Sequence, residues 1–183
     1  MSLHVVVGPM FAGKTSEALR VIRISRSINR RVFVCTHSSD QRYGTGCVSS
    51  HDQNTVSAHL TDRLFSVCDL PDFQTADVVI LEEAQFFCLD SLLDFVKYCV
   101  NERQLEMHVF GLDGNYQQQP MGDLLKLCPL ADTFRKITAL CMFCQDGTAA
   151  PFTVNTTAMP SSGILVGGAD VYAPVCRRHF LSN

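Results

Sequence analysis

Gly8-Pro9-Met10-Phe11-Ala12-Gly13-Lys14-Thr15 is the stretch on which the fold turns. It satisfies G-x-x-x-x-G-K-[ST], and its flanks give the pattern meaning. Residues 3–7 are apolar but for His4, and residues 16–28 have helical periodicity. A strand, a glycine-rich turn and a helix form the setting in which this spacing cradles phosphate. Gly8 and Gly13 permit backbone conformations and close approaches that a side chain would block. The loop amides and the helix N-terminus then face an anion. Lys14 is placed to reach the β- and γ-phosphates, and the Thr15 hydroxyl to bind Mg²⁺. The octet, Pro9, Met10, Phe11 and Ala12 included, predicts a nucleoside triphosphate site.

The composition sets the bounds. The chain has 183 residues, enough for one well-filled core and a small appendage, with 46% hydrophobic and 18% charged residues. That balance argues against disorder. A net charge of −3 offers no electrostatic footprint for nucleic acid. No apolar run approaches the roughly 20 residues that a membrane helix needs, and no signal or transit peptide is expected ahead of the first strand. Of nine cysteines, Cys35, Cys47, Cys68, Cys88, Cys99 and Cys128 are scattered, mostly in apolar company, and read as buried free thiols. The odd total beside a nucleotide loop points to a reducing compartment, the cytoplasm.

Outward from the loop, the chain alternates strand and helix. In the first helix Ala18, Leu19, Val21 and Ile22 alternate with Arg20, Arg23, Arg26 and Arg30, so its outer face is basic: a solvated face or a subunit contact. A short strand follows at residues 32–35. Residues 40–54 are polar and glycine-spotted, hence loop. There Asp52 could orient a metal-bound water, reach a phosphate, or merely close an Asx turn. A short helix is expected at residues 61–68. Asp77-Val78-Val79-Ile80-Leu81 then runs into Glu82-Glu83. A buried strand ending in acids delivers one carboxylate to the metal, and the next points to the opposite side, toward an acceptor. Residues 89–103 read as an amphipathic helix, 105–112 as a strand and 134–140 as a last core strand. Strands alternating with helices on short loops define a parallel α/β sheet.

The composition changes at Cys141. Cys141-Met142-Phe143-Cys144 and Cys176-Arg177-Arg178-His179 each place two ligand types three positions apart. C-x-x-C with C-x-x-H is the pattern of a closed structural zinc site, with a redox pair or a catalytic zinc as alternatives. The span between the halves, rich in Thr, Ala, Pro and Gly from 148 to 166, has no evident core of its own. It reads as a lid folded over a ligand. Two units are expected: 1–140, binding the nucleotide, and 141–183, a zinc-held loop.

The motifs G-P-M-F-A-G-K-T, L-E-E-A-Q-F-F, G-L-D-G-N-Y-Q, C-M-x-C, G-G-A-D-x-Y and C-R-x-H occur in that order. In them the chain resembles the type II, cytosolic-type thymidine kinases of animal cells, bacteria and large DNA viruses, over residues 3–180. Its length looks most like that of a viral or compact bacterial member. The resemblance implies an ATP:thymidine 5′-phosphotransferase. Its architecture would be a RecA-like P-loop domain with a zinc-held lasso, assembled as a homotetramer and inhibited by dTTP. It gives Lys14 and Thr15 the donor phosphates and Mg²⁺, Glu82 the metal, and Glu83 the proton of the thymidine 5′-OH. It puts Met10, Phe86, Leu112, Tyr116 and Met121 around thymine and deoxyribose. Thr153, Leu165, Val166, Gly167 and Tyr172 fall at lasso contacts to the base. Four departures stand out. Glu82 replaces the usual Asp, Gln53 and Asn155 stand where many members carry Arg, and His179 replaces a fourth Cys, as in the bacterial branch. The competing reading is a P-loop ATPase coupled to a partner through its zinc ribbon, which ATP turnover without nucleoside would favour.

Overall fold

The computed structural model describes residues 1–39, 47–49, 55–87, 91–157 and 171–182. Its centre is a six-stranded sheet of β1 (Ser2–Gly8), β2 (Val32–His37), β5 (His59–Thr61), β6 (Val78–Glu82), β7 (Glu106–Leu112) and β8 (Thr133–Lys136). The spatial order is β5-β2-β6-β7-β1-β8, and every ladder in it is parallel. Two short strands, β3 (Cys47–Ser49) and β4 (Thr55–Ser57), pair antiparallel outside it. Parallel strands are covered on both faces, which is why Val5–Val7 of β1 and Val78–Leu81 of β6 read as apolar runs; β6 is buried at all five positions.

The two faces have separate cores. Leu3, Val5 and Val7 of β1 point to one face with Phe33, Cys35, Val79, Leu81, Met107 and Val109. They pack against Phe73 of α2 (Pro71–Gln74) and Leu92, Phe95 and Val96 of α3 (Leu92–Lys97). The alternate residues Val6, Val34, Val78, Ile80 and Phe110 meet Ala18 and Ile22 of α1 (Lys14–Ser27) on the other face. The strand period of two thus sorts every sheet side chain, and α1, launched by the glycine-rich loop, covers the second face.

Three expectations change in detail. Residues 61–68 hold only one 3₁₀ turn, Leu64–Val67. The helix read over 89–103 is α3, capped by Ser91 Oγ accepting from the Asp94 N–H at 3.2 Å, and it ends in a π turn at Tyr98–Glu102. The run 134–140 is two strands rather than one. β8 stops at Lys136, while β9 (Ala139–Leu140) leaves the sheet to pair with β10 (Ala149–Ala150). The cause is β1, which ends at Gly8 to begin the loop. Ile137 N–H makes a last bond to Val7 O at 2.9 Å, and beyond it the strand has no neighbour to follow.

Past β9 the chain builds a small module. β11 (Phe152–Asn155) pairs antiparallel with β12 (Tyr172–Val175), and α4 (Arg177–Leu181) closes it. The composition of 148–166 suggests no core, yet Ala150 and Val154 are buried with Ala139, Cys141, Ala173, Val175 and Cys176. Two-stranded ladders this short are marginal alone, so the module needs a further tie. Among the described residues no helix is long and apolar enough to cross a membrane.

Candidate functional site

The carboxyl ends of β1, β2, β6 and β7 share one edge, where loops carry ligand contacts in open parallel sheets. From Gly8 the chain turns through Phe11 at φ 62° and Gly13 at φ 83° into α1. The left-handed conformation costs a non-glycine residue about 1–2 kcal/mol. Phe11 and Ala12 pack against the core of the small module, which holds the loop in that shape. No side chain caps the start of α1, so its first-turn amides are available to an anion. Lys14 is buried, and its ammonium donates to the carbonyls of Gly8 at 3.2 Å and Pro9 at 2.7 Å. Thr15 is half-buried on the first turn.

Glu82 is the last residue of β6 and only 2% exposed. By alternation it follows Val78 and Ile80 onto the α1 face. Glu83 does not simply continue the alternation: its φ of 52° bends the chain out of the strand. Such strain on a non-glycine residue persists where its surroundings over-determine it. Here those surroundings centre on Gln85, 4% exposed. Its Nε2 donates to Glu83 Oε2, and its Oε1 accepts from the Leu112 N–H at 2.9 Å. A Cβ at Gly111 would overlap Gln85 Oε1, and one at Gly122 would overlap the Gln85 carbonyl. Two glycines therefore make room for this amide.

Beside the acids stand two β2 residues outside the sequence reading. Thr36 is the register partner of Glu82. It is 1% exposed, and its Oγ1 has no hydrogen-bond partner among the described residues. His37 lies between the rings of Phe86 (5.9 Å, tilted) and Phe87 (4.9 Å, edge-on) and accepts from the Ser39 N–H at 3.1 Å. Burial lowers its pKa against the opposing charge of Asp62 and so favours the neutral ring.

An apolar group lies on the other side of the loop. Met10, Val171 and Tyr172 are buried together, with Leu112, Tyr116 and Phe11 packed against them. Thr153 Oγ1 accepts from the Met10 N–H at 3.1 Å and ties the module to the loop. Of the residues predicted to surround a base, the fold thus brings together Met10, Leu112, Tyr116, Tyr172 and Thr153. Phe86 packs beside His37 and Met121 is half-buried next to Gly122, both outside that apolar group. Asp52, Leu165, Val166 and Gly167, with Gln53, lie outside the described residues.

Cys141, Cys144, Cys176 and His179 converge as the spacing predicted. The Cys144 and Cys176 sulfurs are 3.8 Å apart, and His179 Nδ1 is 3.4 Å from Cys141 Sγ, 3.4 Å from Cys144 Sγ and 3.5 Å from Cys176 Sγ. A tetrahedron with Zn–S of about 2.3 Å and Zn–N of about 2.0–2.1 Å has edges of about 3.8 and 3.5 Å. The group could hold a zinc ion with all four positions taken by protein. That tie would clamp β9 and the start of α4, the two ends of the module.

A second cluster, His4, Glu106 and His108, has ligand atoms within 4.8 Å of one another, but it is closed on itself. His4 bonds Thr133 Oγ1 and Ser2 Oγ, His108 Nε2 donates to Glu106 Oε1 at 2.8 Å, and Arg30 pairs with Glu106 Oε2 at 2.6 Å. A guanidinium on the carboxylate opposes a metal cation there.

Gln85 sits inside the L-E-E-A-Q-F-F motif without having been given a role, while Thr36 and His37 could have been suspected only by position, at the end of a strand on the loop edge. Nothing in their types marks them out.

Fold and site define an α/β protein with a phosphate-loop sequence at the carboxyl edge of a parallel sheet, tied to a Cys3His module. The chain belongs to the thymidine kinase family, whose model matches residues 1–180. It is 39% identical to a thymidine kinase of Oryza sativa subsp. japonica over 99% of this chain, and spans 66% of that relative. It is 36% identical to thymidine kinase a of Arabidopsis thaliana, covering all of this chain and 76% of the relative. The thymidine kinase of Myxoma virus (strain Uriarra) is 32% identical over 96% of this chain and 94% of its own length.

Proposed function

We propose that this chain transfers the γ-phosphoryl group of ATP to the 5′-OH of thymidine, and of deoxyuridine, giving dTMP for DNA precursor salvage. The observation that carries this reading is the shared edge. The loop Gly8–Thr15, Glu82 with the Gln85-held Glu83, and the apolar group of Met10, Leu112, Tyr116 and Tyr172 all lie at it. Family membership supports it.

Phosphoryl transfer asks for positioning and charge neutralisation more than for covalent chemistry. The loop amides and Lys14 carry the donor phosphates, and Asp52 assists there. Glu83 orients the 5′-OH and takes its proton, which the strained, hydrogen-bonded setting of its carboxylate suits. Met10, Phe86, Leu112, Tyr116, Met121 and Tyr172 enclose base and sugar. Thr153, Leu165, Val166 and Gly167 read the base with main-chain groups and exclude water that would compete as acceptor. A purine leaves a buried polar group unpaired, at a cost of about 1–3 kcal/mol. A dTTP molecule satisfies the base pocket and the phosphate loop together, and so inhibits.

Mg²⁺ fits the donor set: a carboxylate and a hydroxyl, Glu82 and Thr15, are the hard oxygen ligands it prefers. When bound it neutralises developing phosphate charge. Zinc at Cys141, Cys144, Cys176 and His179 is structural. The chain divides at 1–140 and 141–183 and acts in the cytoplasm. It assembles as a homotetramer, for which the exposed Ile24 on α1 and Ile28 at its C-cap offer a contact.

The test is incubation with Mg-ATP and each of the four deoxynucleosides. Monophosphate from thymidine and deoxyuridine is the expected result. ATP consumption without a nucleotide product would favour the partner-coupled ATPase.

A further inference from the structure

Thr36 Oγ1 is a fully buried polar atom at this edge with no hydrogen-bond partner among the described residues. Buried hydroxyls are nearly always bonded, and an exception calls for an unseen water, ion or functional role. Its location narrows the choice. In the parallel ladder of β2 and β6, Val34 lies beside Ile80, Cys35 beside Leu81 and Thr36 beside Glu82. Cys35 and Leu81 belong to the core of one face, and Val34 and Ile80 to the core under α1. Thr36 and Glu82 therefore share the α1 face at the last rung, about 4.8 Å apart in backbone spacing. That face also carries Lys14 and Thr15, at the start of the helix packed on it.

We infer that the Thr36 hydroxyl belongs to the hydration shell of the nucleotide's divalent cation, holding a metal-bound water beside Glu82; this rests on the phosphotransfer reading above. Mg²⁺ dehydrates reluctantly and keeps several waters, so a protein site holds it largely through groups that bond those waters. A hydroxyl both donates and accepts, and can accept from a water polarised by the cation while its own proton turns to the Glu82 carboxylate. The Thr36 oxygen thereby gains its hydrogen-bond partner on metal binding.

Thr36→Val is nearly isosteric and removes only the hydroxyl. The probe is Mn²⁺, titrated by electron paramagnetic resonance against wild type, Thr36→Val, Thr36→Ala and Thr36→Ser, each with ATP. Thermal melts are run without metal. Loss of a group behind a metal's direct ligands weakens metal affinity about 10–100-fold. Thr36→Val and Thr36→Ala should show that loss, and Thr36→Ser should retain wild-type affinity. The metal-free Thr36→Val chain should melt at or above the wild-type temperature, since a buried unpaired hydroxyl is gone. Mn²⁺ affinity unchanged in Thr36→Val overturns the inference alone. If wild type takes up no Mn²⁺ with ATP, the phosphotransfer reading falls, and this inference with it.

Discussion

The side-chain amide of Gln85 holds the carboxylate of Glu83 with its nitrogen and the Leu112 N–H with its oxygen. One buried residue thus links the end of β6 to the end of β7, between the proposed base and the proposed nucleoside pocket. Gln85→Met keeps the length and loses both bonds. Misplacing a catalytic group by about 1 Å can cost on the order of 10²-fold. The expected outcome is a kcat reduced about 10–100-fold with KM for ATP nearly unchanged. Steady-state kinetics check it, and equal losses in both would point to general unfolding instead.

Glu83→Gln keeps the Gln85 contact and removes the base. General-base catalysis is worth about 10²–10⁴-fold, so turnover should fall by that factor while calorimetry shows thymidine and ATP still bound. Normal turnover would remove Glu83 from its role.

Gly111→Ala introduces a Cβ where Gln85 Oε1 lies, and 2.6 Å from Leu124 Cδ2. Overpacking of this kind costs about 1–3 kcal/mol. The melting temperature should drop and activity with it, because the displaced atom is the one that fixes Gln85. Gly13→Ala has no such neighbour and would act through its positive φ alone.

Cys144→Ser should release zinc and undo the ladders from β9 to β12. Structural zinc supplies about 10–16 kcal/mol in small metal-dependent units, far more than two-stranded ladders provide. Because Thr153 and Tyr172 sit on that module, nucleoside affinity should fall more than ATP affinity. Zinc analysis and two calorimetric titrations decide it; unchanged thymidine affinity after zinc loss would defeat the lid role.

His108 predicts an acid limb in stability. Burial lowers its pKa from 6.5, opposed by its hydrogen bond to Glu106, while His4 and Arg30 lower it further. The folded chain then takes up the proton less readily than the unfolded one. The contribution is complete above pH 6.5 and is lost as pH falls below it. His37 acts in the same direction. Glu106 is lowered from 4.5, adding a second loss below that pH. Melting temperatures between pH 8 and pH 5 should be flat, then decline. Removing the titration with His108→Gln should shrink the decline; an unchanged slope would exclude His108 as its source.

What the sequence determined by itself was whatever depends on short spacing and period. Leu3 to Val7 had to be a buried strand because, His4 apart, it has nothing but apolar side chains on both faces. Gly8 to Thr15 had to be a turn into a helix, because its glycines and the following periodicity permit little else. Two ligand pairs at three-residue spacing announced Cys141, Cys144, Cys176 and His179 before any fold was known. Tertiary structure alone decided which distant residues meet. Thr36 became the neighbour of Glu82 through a β2–β6 register that no local signal encodes. Gln85 became a clamp because Gly111 and Gly122 clear its space from other segments. Residues 134–140 split because β1 ends at Gly8, leaving the strand nothing to pair with. Ala150 and Val154 became a core only once β9, β11 and β12 were stacked. Propensity and period act over a few residues, whereas register, clearance and burial are properties of the packed sheet and arise only when it closes.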